Sequence, residues 1–153
     1  MNSNTNNKTI FISADHAGFD AKNELKKYLE DLGFSVEDLG NSVLDQDDDY
    51  PDFMVVVAKA VAGKPGSRGL VIGGSGQGEA MAANKVQGIR AAIVYDEYSA
   101  KMSREHNDAN VASFGARVTN IEKIKELTKL WLNTPFSQEE RHIRRVEKLN
   151  NIL

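Results

Sequence analysis

The chain predicts an α/β fold, a Rossmann-like three-layer sandwich around a five-stranded parallel sheet, with a C-terminal helix reaching toward a partner subunit. Three observations carry that expectation. Short β-rich runs alternate with segments whose apolar residues recur at helical spacing. No hairpin signal joins two of the strands, so helical crossovers must connect them. The first run is apolar on consecutive positions, as in a strand covered on both faces.

Thr9-Ile10-Phe11-Ile12-Ser13-Ala14 is the first strand. Ala21, Leu25, Tyr28, Leu29 and Leu32 then share a helical face, and Gly33 stands where a left-handed C-cap is favoured. Phe34 to Leu39 reads as the second strand and Leu44 to Asp52 as an acidic loop. Its Pro51 precedes a helix with Phe53, Val56, Val57, Ala60 and Val61 on one face. Gly69 to Ile72 is the third strand, followed by the glycine-rich turn Gly73–Gly78 and a helix from about Glu79 to Val86. A strand over Arg90–Tyr95, a helix over Glu97–His106, a strand over Asn110–Phe114 and a helix over Ile121–Asn133 continue the alternation. After Pro135, Gln138 to Ile152 forms a last helix with Ile143, Val146, Leu149 and Ile152 on one side and Arg141, Arg144, Arg145 and Lys148 among them. With no strand after it to cover, this helix either closes the core or reaches over a neighbouring subunit, and the second is expected.

A length of 153 residues with 41% hydrophobic content fits one compact domain, expected over residues 8–153. Residues 1–7, polar and asparagine-rich, are expected to be a disordered extension. Nineteen basic and 22 acidic side chains leave a net charge of −3, so no global field exists to hold nucleic acid or an anionic membrane. The absence of cysteine excludes disulfides, thiolate catalysis, cysteine zinc sites and iron–sulfur clusters. No run approaches the roughly 20 apolar residues of a membrane span, and the first residues lack the apolar core of a signal peptide, so a cytoplasmic protein is expected.

In an open parallel sheet, ligands collect beyond the carboxyl ends of the strands. Four loops fall there: Asp15-His16-Ala17-Gly18, Gly73–Gly78, Asp96-Glu97 and Gly115-Ala116-Arg117. Four glycines in six residues let the backbone turn tightly and aim several N–H groups at one negatively charged point. A nucleotide P-loop would continue with lysine and a hydroxyl residue, but Glu79 and Ala80 follow here. A dinucleotide fingerprint would place its third glycine one position later than Gly78. Glu79 would also repel a bound phosphate. A carboxylate beside backbone donors is instead the pair needed to remove a proton next to a carbonyl: a base for the carbon acid and N–H groups for the developing enolate. The plainer alternative is that Glu79 caps its helix and the glycines only make a turn.

His16, directly after the first strand, is at the edge where a site belongs. His106 ends the helix after the fourth strand, where a C-cap role suffices. Arg117, Arg141 and Arg145 are candidates for a phosphate clamp, and Arg141 and Arg145, four apart, share a helix face. A solvated basic helix is the alternative. The acidic run Asp45–Asp49 lacks the spacing of a calcium loop and is expected to be solvated.

Six motifs, in order, complete the reading: Ser13-Ala14-Asp15-His16-Ala17-Gly18; Asp49-Tyr50-Pro51-Asp52; Gly73-Gly74-Ser75-Gly76-Gln77-Gly78-Glu79; Ala82-Ala83-Asn84-Lys85; Glu105-His106-Asn107-Asp108-Ala109-Asn110; and Phe114-Gly115-Ala116-Arg117. Together with Arg141-His142 and Arg145-Val146, this set resembles the type B ribose-5-phosphate isomerases from about Lys8 to Leu149. The resemblance implies a metal-free, cofactor-free aldose–ketose isomerase. Such an enzyme interconverts ribose 5-phosphate and ribulose 5-phosphate through an enediolate. It also implies a homodimer whose sites are built from two chains, in some members a homotetramer.

By the same resemblance, Glu79 is the proton-transferring base. Another branch of the family uses a cysteine at the position of Gly73. His106 is implied in ring opening, with Asp15 and Tyr50 near the same oxygens. Ser75 and the N–H groups of Gly74, Gly76, Gln77 and Gly78 are implied as the enediolate pocket, and Asn107 as a contact to a substrate hydroxyl. His16, Arg117, Arg141 and Arg145 are implied as substrate and phosphate contacts. The nearest rival is an isomerase of a six-carbon sugar phosphate, allose 6-phosphate or galactose 6-phosphate. A rival of another class is a nucleotide-binding regulatory module, which would bind nucleotide without turnover.

Overall fold

The computed structural model describes residues 8–152, so the expected extension at 1–7 lies outside the described residues. The chain runs β1 (Thr9–Ala14), a 3-10 turn (His16–Gly18), α1 (Phe19–Asp31), β2 (Ser35–Asp38), α2 (Tyr50–Ala62), β3 (Arg68–Gly73), α3 (Gln77–Ala83) and β4 (Ala91–Ile93). It continues through α4 (Glu97–Glu105), β5 (Val111–Gly115), α5 (Ile121–Asn133) and α6 (Glu140–Asn150). The five strands form one sheet in the order β2-β1-β3-β5-β4, parallel at every pair. From β1 the chain crosses to β2 on one side, and from β3 it crosses to β4 on the other. The loops after β1 and β3 therefore diverge and leave a crevice between them.

The central strands alternate their side chains between two covered faces. Ile10, Ile12, Leu70, Ile72, Ala112 and Phe114 pack with Leu25 and Leu29 of α1, Ala100 of α4, and Ile124, Leu127 and Trp131 of α5. Phe11, Val71 and Val111 pack on the opposite face with Met54, Val57 and Val61 of α2 and Ala83 of α3. A Cβ on Gly69 would stand 2.8 Å from Val57 Cγ1, so glycine there lets α2 lie close against β3. The three layers expected from the sequence are all present.

Several boundaries differ from the sequence reading. α2 begins at Tyr50 rather than after the acidic loop, because Pro51 sits in the first turn, where a missing N–H costs nothing. α3 starts at Gln77, two residues early, on a left-handed Gly76 (φ 81°), and stops at Ala83. Asn84 then leaves the helix to clamp β4, its amide donating to Ala91 O (3.0 Å) and accepting from Ala91 N–H (2.7 Å). Gly33 has φ 94°, the left-handed conformation expected after α1. α6 buries His142 and Val146 against its own protomer and leaves Arg141, Arg144, Arg145 and Lys148 exposed. Among the described residues, no helix is long and apolar enough to cross a membrane.

Candidate active site

Pairing of Ala14 with Ile72 and of Gly73 with Gly115 brings three strand ends to one level, so the loops after β1, β3 and β5 meet. They are packed backbone to backbone. A Cβ on Gly18 would overlap the Ile72 carbonyl, and one on Gly115 would come within 2.6 Å of Ser75 C and O. Ala116 N–H donates to Gly73 O (2.8 Å) and Arg117 N–H to Gly74 O (3.0 Å). Ser113 Oγ donates to Gly76 O (2.7 Å) from beneath. The glycine turn is therefore fixed by its neighbours rather than by its own sequence.

A cavity of about 570 Å³ opens over this junction, lined by Asp15, His16, Ala17, Tyr50, Gly74, Ser75, Gly78, Glu79, Met81, Arg117 and Val118. A larger cavity, about 740 Å³, lies between Asn84–Ala92 and the end of α6, and its lining includes no carboxylate and no imidazole. The smaller one gathers Asp15, His16, Tyr50, Glu79 and Arg117.

Glu79 dominates it. The residue is buried, one carboxylate oxygen lies over Gly73 in the space a Cβ there would need, and Oε2 has no hydrogen-bond partner. Burial raises its pKa above the ordinary glutamate value and the charge of Asp15 adds to this, while N–H groups at Glu79 and Gly76 oppose it. A carboxylate so placed is a stronger base than usual, and its Oε2 is left without a partner.

Around it, Asp15 caps the 3-10 turn, with Oδ1 accepting from Ala17 N–H (2.9 Å) and Gly18 N–H (3.2 Å). Ser75 Oγ accepts from Gln77 N–H (3.2 Å). Tyr50 lies against Gly78, where a Cβ would stand 2.7 Å from the ring, and Arg117 Nη1 lies over Gly74. Gly76 and Gln77 belong to the turn but do not line the cavity. Asp15, His16 and Asp48 each offer an atom within 4.8 Å of the others, the one such grouping among the described residues. The 2.7 Å between His16 Nδ1 and Asp48 Oδ1 is a hydrogen bond.

His106, Asn107, Arg141 and Arg145 do not line this cavity. His106 caps α4, its N–H donating to Met102 O (3.1 Å), and its ring lies 4.3 Å from that of His142. Ser137 N–H donates to Glu105 O (3.0 Å), and Ser137 Oγ pairs with His142 Nδ1 (2.6 Å), so the start of α6 is fastened to the end of α4. Burial lowers the pKa of His142, and the neighbouring His106, Arg141 and Arg145 add to this while Glu139 opposes it. Arg141 is exposed, and its one ion pair among the described residues is with Glu139, at 3.0 Å. Asn107 lines the larger cavity. The predicted residues thus divide into two groups within the chain. Two residues with evident roles escaped the sequence reading. His142 carried the signal of being one of only three imidazoles, whereas nothing distinguished Asp48 within its acidic run.

The family model described as Ribose/Galactose Isomerase matches residues 10–149. Ribose-5-phosphate isomerase B of Escherichia coli (strain K12) is 41% identical over 145 residues, 95% of this chain and 96% of that protein. Its counterpart in Mycobacterium tuberculosis (strain H37Rv) is 38% identical over 140 residues, 92% of this chain and 86% of the relative. Among solved structures, type B ribose 5-phosphate isomerase of Trypanosoma cruzi superposes with a TM-score of 0.89 at 43% identity, covering 94% of this chain and 96% of that one. Ribose-5-phosphate isomerase B of Mycoplasma genitalium, with bound ribulose-5-phosphate, gives 0.89 at 37% identity and covers 93% of each chain.

Proposed function

This chain belongs to the ribose/galactose isomerase family, and from that membership we propose that it interconverts D-ribose 5-phosphate and D-ribulose 5-phosphate through an enediolate. It is an aldose–ketose isomerase. The observation that carries the mechanism is the buried Glu79 carboxylate, its Oε2 without a hydrogen-bond partner, lining a cavity rimmed by the glycine turn. In this reading Glu79 takes the proton from C2 of the open-chain aldose and returns it to C1. The hydroxyl of Ser75 and the N–H groups of Gly74, Ser75 and Gly78, the turn residues that line the cavity, hold the oxyanion between the two steps. Charge on the intermediate is met by fixed donors, so the residues present supply the chemistry without a metal or cofactor.

The phosphate supplies binding energy that positions C1 and C2. Arg117 is the one arginine among the described residues lining the cavity. We therefore assign Arg141 and Arg145, with His106 for ring opening and Asn107 for a hydroxyl, to the site of a second copy. This makes the enzyme a homodimer with shared sites, and the cytoplasm suits its cysteine-free chain. The exposed cationic face of α6 is the surface that reading requires. The deciding assay offers the purified protein ribose 5-phosphate, allose 6-phosphate and galactose 6-phosphate in the presence of a chelator. Fastest turnover of a six-carbon substrate, which the family description also allows, would replace the pentose assignment.

A further inference from the structure

Of the four aspartates in the run Asp45–Asp49, three are exposed and Asp48 is not; its side chain is 5% accessible. Oδ1 of Asp48 accepts two hydrogen bonds from a single residue 32 positions away. One comes from the His16 main-chain N–H (3.2 Å) and the other from His16 Nδ1 (2.7 Å). The first bond ties the acidic loop to the 3-10 turn. The second occupies one ring nitrogen and leaves Nε2 as the other, on a residue that lines the cavity over Glu79.

We propose that Asp48 is a positioning residue of this active site, acting through His16: it fixes the imidazole with its proton on Nδ1 and leaves Nε2 for the substrate. The proposal rests on the reading above, in which His16 touches the sugar phosphate. A second partner on the far nitrogen is the usual way a histidine's tautomer and orientation are set. The anionic partner also favours the imidazolium, so that Nε2 carries a donor toward phosphate or hydroxyl oxygen. The charged groups facing the ring are Asp48 and Asp15, which raise its proton affinity, and Arg117, which lowers it; the bond to Asp48 is the largest influence and the pKa lies above the ordinary histidine value. Because Asp48 precedes Tyr50 by two residues, the same contact holds the start of α2 where the Tyr50 ring meets Gly78.

The test uses the full-length protein, with Asp48→Asn to remove the charge and Asp48→Glu to restore it. Asp49→Asn serves as a control at an exposed neighbour that makes no capping bond. His16 is titrated by NMR, and kinetics with ribose 5-phosphate are measured in wild-type and His16→Asn backgrounds. Asp48→Asn is expected to lower the His16 midpoint and raise KM about tenfold, with kcat within about threefold, the size of one lost charge-assisted bond. With His16 already replaced, the added loss should stay under about twofold. Asp48→Glu should recover the midpoint, and Asp49→Asn should change nothing. An unmoved His16 midpoint, or an equal KM loss with and without the ring, overturns the proposal. Wild-type protein inert toward ribose 5-phosphate would sink the functional reading instead, while the titration would still decide whether Asp48 governs the imidazole.

Discussion

The Glu79 carboxylate lies where a side chain on Gly73 would have to go. Gly73 ends β3 and Glu79 stands in the first turn of α3, so the two are joined by the tightest part of the chain. A cysteine at 73 and a glutamate at 79 therefore compete for one volume.

Introducing Gly73→Cys alone should cost about 1–3 kcal/mol through overpacking and expel the Glu79 carboxylate. Adding Glu79→Ala should recover most of that loss. Urea midpoints of the two single variants and the double variant measure the coupling, and strict additivity would show that the two positions do not share the space.

Glu79→Gln keeps the shape of the side chain and removes the base. Sugar-phosphate binding should persist while kcat falls by roughly 10²–10⁴. Isothermal titration beside steady-state kinetics checks this, and near-normal turnover would remove Glu79 from the mechanism.

The direction of the Glu79 shift also fixes a stability trend. Its pKa is raised in the folded chain, chiefly by burial, so the native state holds this proton to a higher pH than the unfolded state does. Where the two states differ, the folded state binds more protons, and stability falls as pH rises from the unfolded to the folded pKa. Glu79→Gln should therefore be more stable than wild type at neutral pH and lose that advantage below pH about 4, near the ordinary carboxylate value. Thermal melts at both pH values would show it. In turnover, the acid limb should lie above the midpoint of an unperturbed carboxylate.

The candidate residues fall into two groups on the chain, and the proposed shared-site dimer predicts that inactive variants rescue each other. Mixing Glu79→Gln chains with His106→Asn chains and allowing exchange creates mixed dimers in which one of two shared sites keeps both groups. Activity above that of either parent is expected. Purely additive activities would place His106 outside the partner's site.

Arg141→Ala should weaken substrate binding and inhibition by inorganic phosphate about tenfold, with a smaller change in kcat, as loss of one charge-assisted contact predicts. Its exposed guanidinium pairs with the equally exposed Glu139, so folding should be untouched. Unchanged phosphate inhibition would move the clamp elsewhere.

Much of this architecture was legible because local signals agreed. α5 begins at Ile121 and ends at Asn133 as its spacing indicates, with Asn120 capping it through Lys123 N–H. The loops after β1 and β3 could be placed at the ligand edge because parallel strands leave no other end for them. Tertiary placement was the part that stayed hidden. Asp48 reads like its acidic neighbours until the fold brings it to His16, 32 residues earlier. Likewise, helical spacing puts Arg141 and Arg145 on one face without revealing which protomer's cavity that face serves.

The stacked rings of His106 and His142 give the last helix a duty beyond carrying arginines. His142 is held below its ordinary pKa first by burial and then by the ring of His106 beside it. Truncating the protein ahead of Ser137 would strip His106 of its aromatic neighbour and loosen the tether on Glu105. A shortened chain would lose both the anchor on the end of α4 and the exposed arginines of α6.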